Sequence, residues 1–212
     1  DYKDAKRAIP SVGLCGQSAE GIAHMWHMPS HILSRLKRYN DATWQQEASA
    51  RVDHAHMMRD RIMPDRIHNF AHNNEWLTRN LSHSGRISRA IAMSKNMIEL
   101  PRIPNVREDG TWSFPSRSSH YYGRKHLYDL LKNYELWNEA INLKDSHYLK
   151  PGTTAYSQAK YWRIVASAYA NTGEVVLANE LLVKMNNLLN DQKAGKIKAG
   201  KEAEEKAKRE KK

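Results

Sequence analysis

The sequence predicts an all-α protein of about four stacked antiparallel helix hairpins, an α-solenoid. Three observations predict it. Trp162, Val165, Ala166, Tyr169, Gly173 and Ala178 form a spaced pattern of large aromatic, small or apolar step, turn breaker and alanine, which Trp26, Ser30, Leu33, Tyr39 and Ala42 repeat more loosely 136 residues earlier. Such a shared spacing is what a helix-turn-helix repeat leaves behind, because each hairpin must present the same knobs to its neighbours. Ala42, Ala90, Ala140 and Ala178 then mark the start of each second helix, at intervals of 48, 50 and 38 residues. Finally, Lys37-Arg38-Tyr39, Ser84-Gly85-Arg86, Glu135-Leu136-Trp137 and Thr172-Gly173-Glu174 place a turn signal just before each alanine.

The elements follow in order. Residues 1–18 form a lead-in, 19–190 the helical domain and 191–212 a charged tail. The chain opens Asp1-Tyr2-Lys3-Asp4 with no start methionine and no apolar leader, which reads as a mature form or a piece of a longer polypeptide, and it assigns no cellular compartment. After the second hairpin, Leu100-Pro101-Arg102-Ile103-Pro104 stops the helix, since proline cannot continue the hydrogen-bond ladder. Asn105 to Ser118, holding Gly110 and Pro115, is expected to be an exposed loop, and Pro151 is expected to cut short the second helix of the third hairpin. Trp26 and Trp162 hold equivalent places and are expected to be buried anchors.

Composition narrows the function. The net charge is +11, but Lys193 to Lys212 alone carries nine basic residues against four glutamates, so nearly half of the excess sits in a polar tail expected to be a solvated helix or disordered. No base-reading pair recurs between hairpins, so a nucleic-acid partner is disfavoured. No run of eighteen apolar residues is present to span a membrane. Cys15 is the single cysteine, which excludes an internal disulfide and a thiolate zinc site. No glycine-rich phosphate loop and no serine- or zinc-protease signature occurs, so no enzyme activity is assigned. The final helix is apolar around Val183 to Leu189, so either the lysine-rich end or another subunit, in an oligomer formed through the terminal helices, is expected to cover it.

These residues resemble those of tetratricopeptide-repeat (TPR) proteins. The match is strongest over Ala159 to Leu189, with Trp162, Val165-Ala166, Tyr169, Gly173, Val175, Ala178, Leu182 and Met185, and fair over Ala71 to Pro101. In the first hairpin Pro29 replaces an apolar core residue, and Gln46 and Ser49 stand where core residues are expected; the third has Glu135 at the glycine position. His27-Met28-Pro29-Ser30-His31-Ile32, then His72-Asn73 with Trp76-Leu77, is similar to a group of bacterial repeat proteins, some with a thioredoxin- or peroxiredoxin-like domain ahead of the repeats. The resemblance covers roughly residues 13–190 and brings no activity with it.

What it implies is a concave groove lined by the first helix of each hairpin. Carried over by register, the groove residues are His24, His27, His31, Ser34 and Arg35; His72, Glu75, Arg79, Ser82 and His83; Tyr122, Lys125, Asp129, Lys132 and Asn133; and Lys160, Arg163, Ser167, Ala170 and Asn171. The function expected is a scaffold that binds a polypeptide segment, or a partner domain of its own parent chain, in that groove. Arg35, Arg79, Lys125 and Arg163 would meet carboxylates, histidines or Tyr122 would supply hydrogen bonds, and no cofactor is required.

One constellation points elsewhere. His24, His27 and His31 are spaced i, i+3 and i+7 on one helical face, and His72 of the next hairpin is placed to approach them. Converging imidazoles suit zinc, copper or iron, so a metal- or redox-cofactor-binding accessory module is the alternative reading. Met25 and Met28 offer thioethers but more naturally fill gaps in the core, and Pro29 threatens to rotate His31 away from the others. In the plainer reading, the histidines bond to carboxylates such as Asp53, Glu75 or Asp65. A second group, Asp53, His54, His56, His68 and His72, is weaker, because His54 and His56 point to different faces of a helix.

Overall fold

The computed structural model describes residues 4–106, 108–110, 112–113 and 117–210. Among the described residues it is all-α apart from one small two-stranded hairpin, as the sequence predicts. The chain divides into two units, Asp1–Leu130 and Leu131–Lys212.

In the first unit a 3-10 turn at Ala5–Ala8 leads into α1 (Ile9–Ser18). Then come α2 (Ala23–Arg35), α3 (Tyr39–Asp60), α4 (His68–His83), α5 (Ile87–Glu99) and most of α6 (Ser119–Asn133). α2 packs on α3, α3 on α4 and α4 on α5. Three apolar clusters hold these layers: Val12, Leu33 and Ala42 with Ile32; Leu77, Leu81, Ala90 and Leu130; and Ala71, Met97 and Tyr122. In the second unit α7 (Trp137–Leu143) and α9 (Val175–Arg209) both pack on α8 (Ala155–Asn171), around Ala140, Ile164, Val165, Ala168 and Ala178. Thr154 starts α8 with a reciprocal side-chain cap to Ser157.

The four expected turns share one geometry. Lys37, Gly85, Glu135 and Gly173 all adopt left-handed backbone, with φ of 61°, 76°, 53° and 89°. In each turn the next amide reaches back five residues: Arg38 to the Leu33 carbonyl, Arg86 to Leu81, Leu136 to Leu131 and Glu174 to Tyr169, at 2.8 to 2.9 Å. That is the Schellman closure, which satisfies a carbonyl orphaned at the helix end. The register alanine follows five residues after the left-handed residue every time and is buried, at 0% exposure for Ala42, Ala90 and Ala140.

Only two of the four turns have glycine at that position, although a Cβ disfavours it. Lys37→Gly and Glu135→Gly are each expected to raise stability by about 0.5–1 kcal/mol, less than the full left-handed penalty because glycine also loosens the unfolded chain. Urea unfolding midpoints check this, with Gly173→Ala expected to move the opposite way.

The structure differs from expectation in several places. The segment after α5 is not all loop: Asn105 and Val106 pair antiparallel with Ser113 and Trp112, while Pro115 lies outside the described residues. α7 ends at Leu143, well before Pro151. It stops because Asp145 turns left-handed (φ 62°) and is anchored by the Tyr161 hydroxyl, while Lys144 bridges to Leu149. Trp26 and Trp162 are only half-buried. Met28 is 44% exposed and fills no core gap. The tail does not fold back, since α9 runs unbroken through Arg209 with i,i+4 pairs Lys198–Glu202 and Lys206–Glu210. Val183 and Leu189 accordingly stay exposed.

Candidate ligand cavity and histidine centre

Two helical stripes in the first unit face each other. On α4, His72, Trp76, Arg79 and His83 recur at i, i+4, i+7 and i+11; on α2, Met28, His31, Ile32 and Arg35 do the equivalent. Pro29 does not break α2: it is fully buried in an unbroken helix, although it has no N–H to offer the Met25 carbonyl. His31 therefore keeps its place one turn after His27.

At one end of the stripes three imidazoles converge. His27, His31 and His72 each offer a ring nitrogen, and these atoms all lie within 4.8 Å of one another. Nε2 of His27 stands 2.6 Å from Nε2 of His31. His24 is not part of the trio; it is exposed and stacks its ring on His27, with centroids 5.7 Å apart.

The side chains behind the trio fix its orientation. The Ser30 hydroxyl donates to the His27 carbonyl at 2.8 Å, so its oxygen accepts from Nε2 of Gln46. The Gln46 amide lies against His27, with its Oε1 and its Nε2 both 3.1 Å from Nδ1 of that ring. Where Nδ1–H of His27 donates to Oε1, the Nε2 lone pair is directed into the cluster. Gln46 and Ser49, polar where the sequence pattern leads us to expect apolar residues, are both at 0% exposure, and the Ser49 hydroxyl donates to the Ala23 carbonyl. They are polar because the first hairpin buries a hydrogen-bond network there.

His72 is held similarly. Its Nδ1 lies 3.2 Å from Oε2 of Glu75, whose Oε1 is 3.5 Å from Nζ of Lys125 and 3.7 Å from Nε2 of His126. Burial would raise the Glu75 pKa, but His126, His72 and Lys125 together hold it well below the usual carboxylate range. Burial lowers the His27 pKa to about 4, helped by the neighbouring His31 and His72, and burial and His72 lower that of His31 as well. His27 and His31 are therefore neutral near pH 7.

Beside the trio lies a cavity of about 650 Å³. Met28 and Ile32 give it apolar walls, and Arg35, Arg79, Tyr39 and His83 polar ones. The Arg79 guanidinium carbon sits 4.8 Å from the centre of the Trp76 ring, and Tyr39 stacks on His83 with centroids 4.8 Å apart. His31 and Trp76 line the cavity too, their rings edge to face at 4.1 Å.

Of the residues expected in the groove, His31, Ser34, Arg35, Arg79 and His83 meet in this cavity, and His27, His31 and His72 meet in the trio. The others go elsewhere. Tyr122 is buried in the core with Ala71 and Met97, and Lys125 is spent on Glu75. Arg163 lies exposed on α8 of the second unit. Among the expected carboxylate partners, Glu75 serves His72, whereas Asp53 accepts from Asn73 at 2.6 Å and Asp65 from the Ile103 amide at 2.6 Å. The weaker group does not assemble as a whole: His68 stacks on His72 with centroids 5.8 Å apart, but His56 pairs with Asp60 at 2.6 Å and His54 is exposed. Sequence reasoning missed Trp76, Gln46 and His126. Trp76 carried a signal in its i+4 spacing from His72.

No family model matches the chain, and no curated protein matches it. Among the described residues no helix is long and apolar enough to cross a membrane.

Proposed function

We propose that this protein is a helical-repeat binding module that recognises a carboxylate-bearing segment of another polypeptide in the α2–α4 cavity. The observation that carries the reading is the pairing of Arg35 and Arg79 with an apolar wall in one cavity of about 650 Å³. Guanidinium offers a planar fork that matches a carboxylate, and stacking Arg79 on Trp76 holds that fork in place at little entropic cost. Met28 and Ile32 supply the dispersion surface for an apolar or aromatic neighbour of the acid.

Selection from a random peptide library with free C-termini tests this. Enriched sequences are expected to carry Asp, Glu or an essential terminal carboxylate beside an apolar residue. The Arg35→Ala/Arg79→Ala double variant is expected to weaken binding at least about tenfold, the scale of one charge-assisted hydrogen bond. Arg89→Ala, at the exposed Glu47 pair, should leave binding unchanged. Enrichment without acids, or affinity indifferent to both arginines, defeats the reading.

A further inference from the structure

We infer that His27, His31 and His72 together bind one divalent first-row transition-metal ion of the zinc class, independently of whether the cavity takes a peptide. Two separate elements present the donors, α2 twice and α4 once, so the site belongs to the packed hairpins and not to one flexible segment.

The donor chemistry selects the ion. Three imidazole nitrogens with no thiolate suit zinc and its borderline neighbours, and do not suit calcium or magnesium, which take oxygen. Metal–nitrogen bonds of 2.0–2.1 Å at a tetrahedral centre put donor atoms about 3.3 Å apart. The present trio brackets that spacing, from the 2.6 Å contact between His27 and His31 to the outer limit of 4.8 Å. Ligation would draw the three separations to that common value. His31 must hold its proton on Nδ1 for this, which frees its Nε2.

The surroundings are those a metal centre needs. A ligating histidine usually donates its other ring N–H to a carbonyl or carboxylate, which fixes the tautomer and raises the basicity of the donor. His27 meets the Gln46 amide and His72 meets Glu75, whose other oxygen lies 3.5 Å from Nζ of Lys125. Three protein donors leave a fourth position for water or a ligand carboxylate.

The test uses the untagged chain, stripped with chelator and desalted, then titrated calorimetrically with zinc chloride alone. One equivalent is expected to bind and to survive desalting, and cobalt(II) in its place should give the intense visible bands of four-coordination. His31→Ala and His72→Ala are each expected to weaken zinc binding at least about a hundredfold, and Glu75→Gln about tenfold, the usual range for an outer-shell partner. His24→Ala and His54→Ala should change it less than twofold. No saturable binding, binding that survives both His31→Ala and His72→Ala, or an equal loss in His24→Ala overturns the inference. Circular dichroism shows whether each variant keeps its helices; if His72→Ala does not, His31→Gln and Glu75→Gln decide. The Arg35→Ala/Arg79→Ala variant should keep its zinc while losing peptide, so the two readings fail separately.

Discussion

Gln46→Leu is expected to lose about 1–3 kcal/mol of stability, read as a lower urea midpoint. Leucine fills nearly the same volume, so the loss does not come from a cavity. It comes from removing the amide from a site with no exposure: Nδ1 of His27 loses its Gln46 partner, while the Ser30 hydroxyl loses the amide donor but keeps its bond to the His27 carbonyl. Each unpaired buried group costs about 1–3 kcal/mol. The substitution also releases the His27 tautomer, so the nitrogen shifts of that ring should move from one protonated position towards an average of two. A loss below about 0.5 kcal/mol would show that the amide is not what holds the first hairpin's polar core together.

The second large effect is expected at Gly123, where α6 crosses α5. A Cβ there would stand 2.6 Å from the Ser94 carbonyl oxygen and 2.9 Å from side-chain carbons of Met97 and Ile98. The first of these belongs to backbone in the middle of α5 and has nowhere to go. Gly123→Ala gains up to about 1 kcal/mol in helix propensity, yet the overpacking costs about 1–3 kcal/mol or more. Gly123→Val adds two further carbons and is expected to cost more than 3 kcal/mol, roughly the upper end of that overpacking range. Gly13→Ala is the control, because nothing lies within 4 Å of its Cβ and α1 should simply gain propensity. If the two alanine variants behave alike, the close approach of α5 and α6 is not limiting.

The hairpin plan was legible because turns and buried alanines are local signals. Gly85 and Gly173 announce left-handed turns through glycine itself, and the alanine five residues later repeats the same distance. Lys37 and Glu135 have no such announcement. They take the left-handed backbone because the Schellman bond and the burial of Ala42 and Ala140 outweigh a penalty of about 1–2 kcal/mol. Where α7 ends was not legible, since the cause is a tertiary bond from Tyr161 to Asp145 and not Pro151.

The site was legible in part. Helical spacing alone placed His27 and His31 together, and Gln46 stood out as a polar residue in an apolar position without showing what it bonds. The hairpin register placed His72 near them, and the packing of α4 beside α2 brings its ring into the trio. Carrying over groove positions by register selected Glu75 and Arg79 but passed over Trp76 between them, the ring that holds Arg79. The same register placed Lys125 and Tyr122 on a ligand surface, whereas one neutralises Glu75 and the other fills the core.

His31 sits in the trio and in the cavity wall at once. An ion that fixes this ring alters the surface a cavity occupant meets, and an occupant that turns the ring alters the donor an ion meets. By thermodynamic linkage the two affinities then scale by one common factor, whichever binds first. Measuring occupancy of either place with and without the other returns that factor, whose sign tells whether the shared imidazole makes the pair allies or competitors.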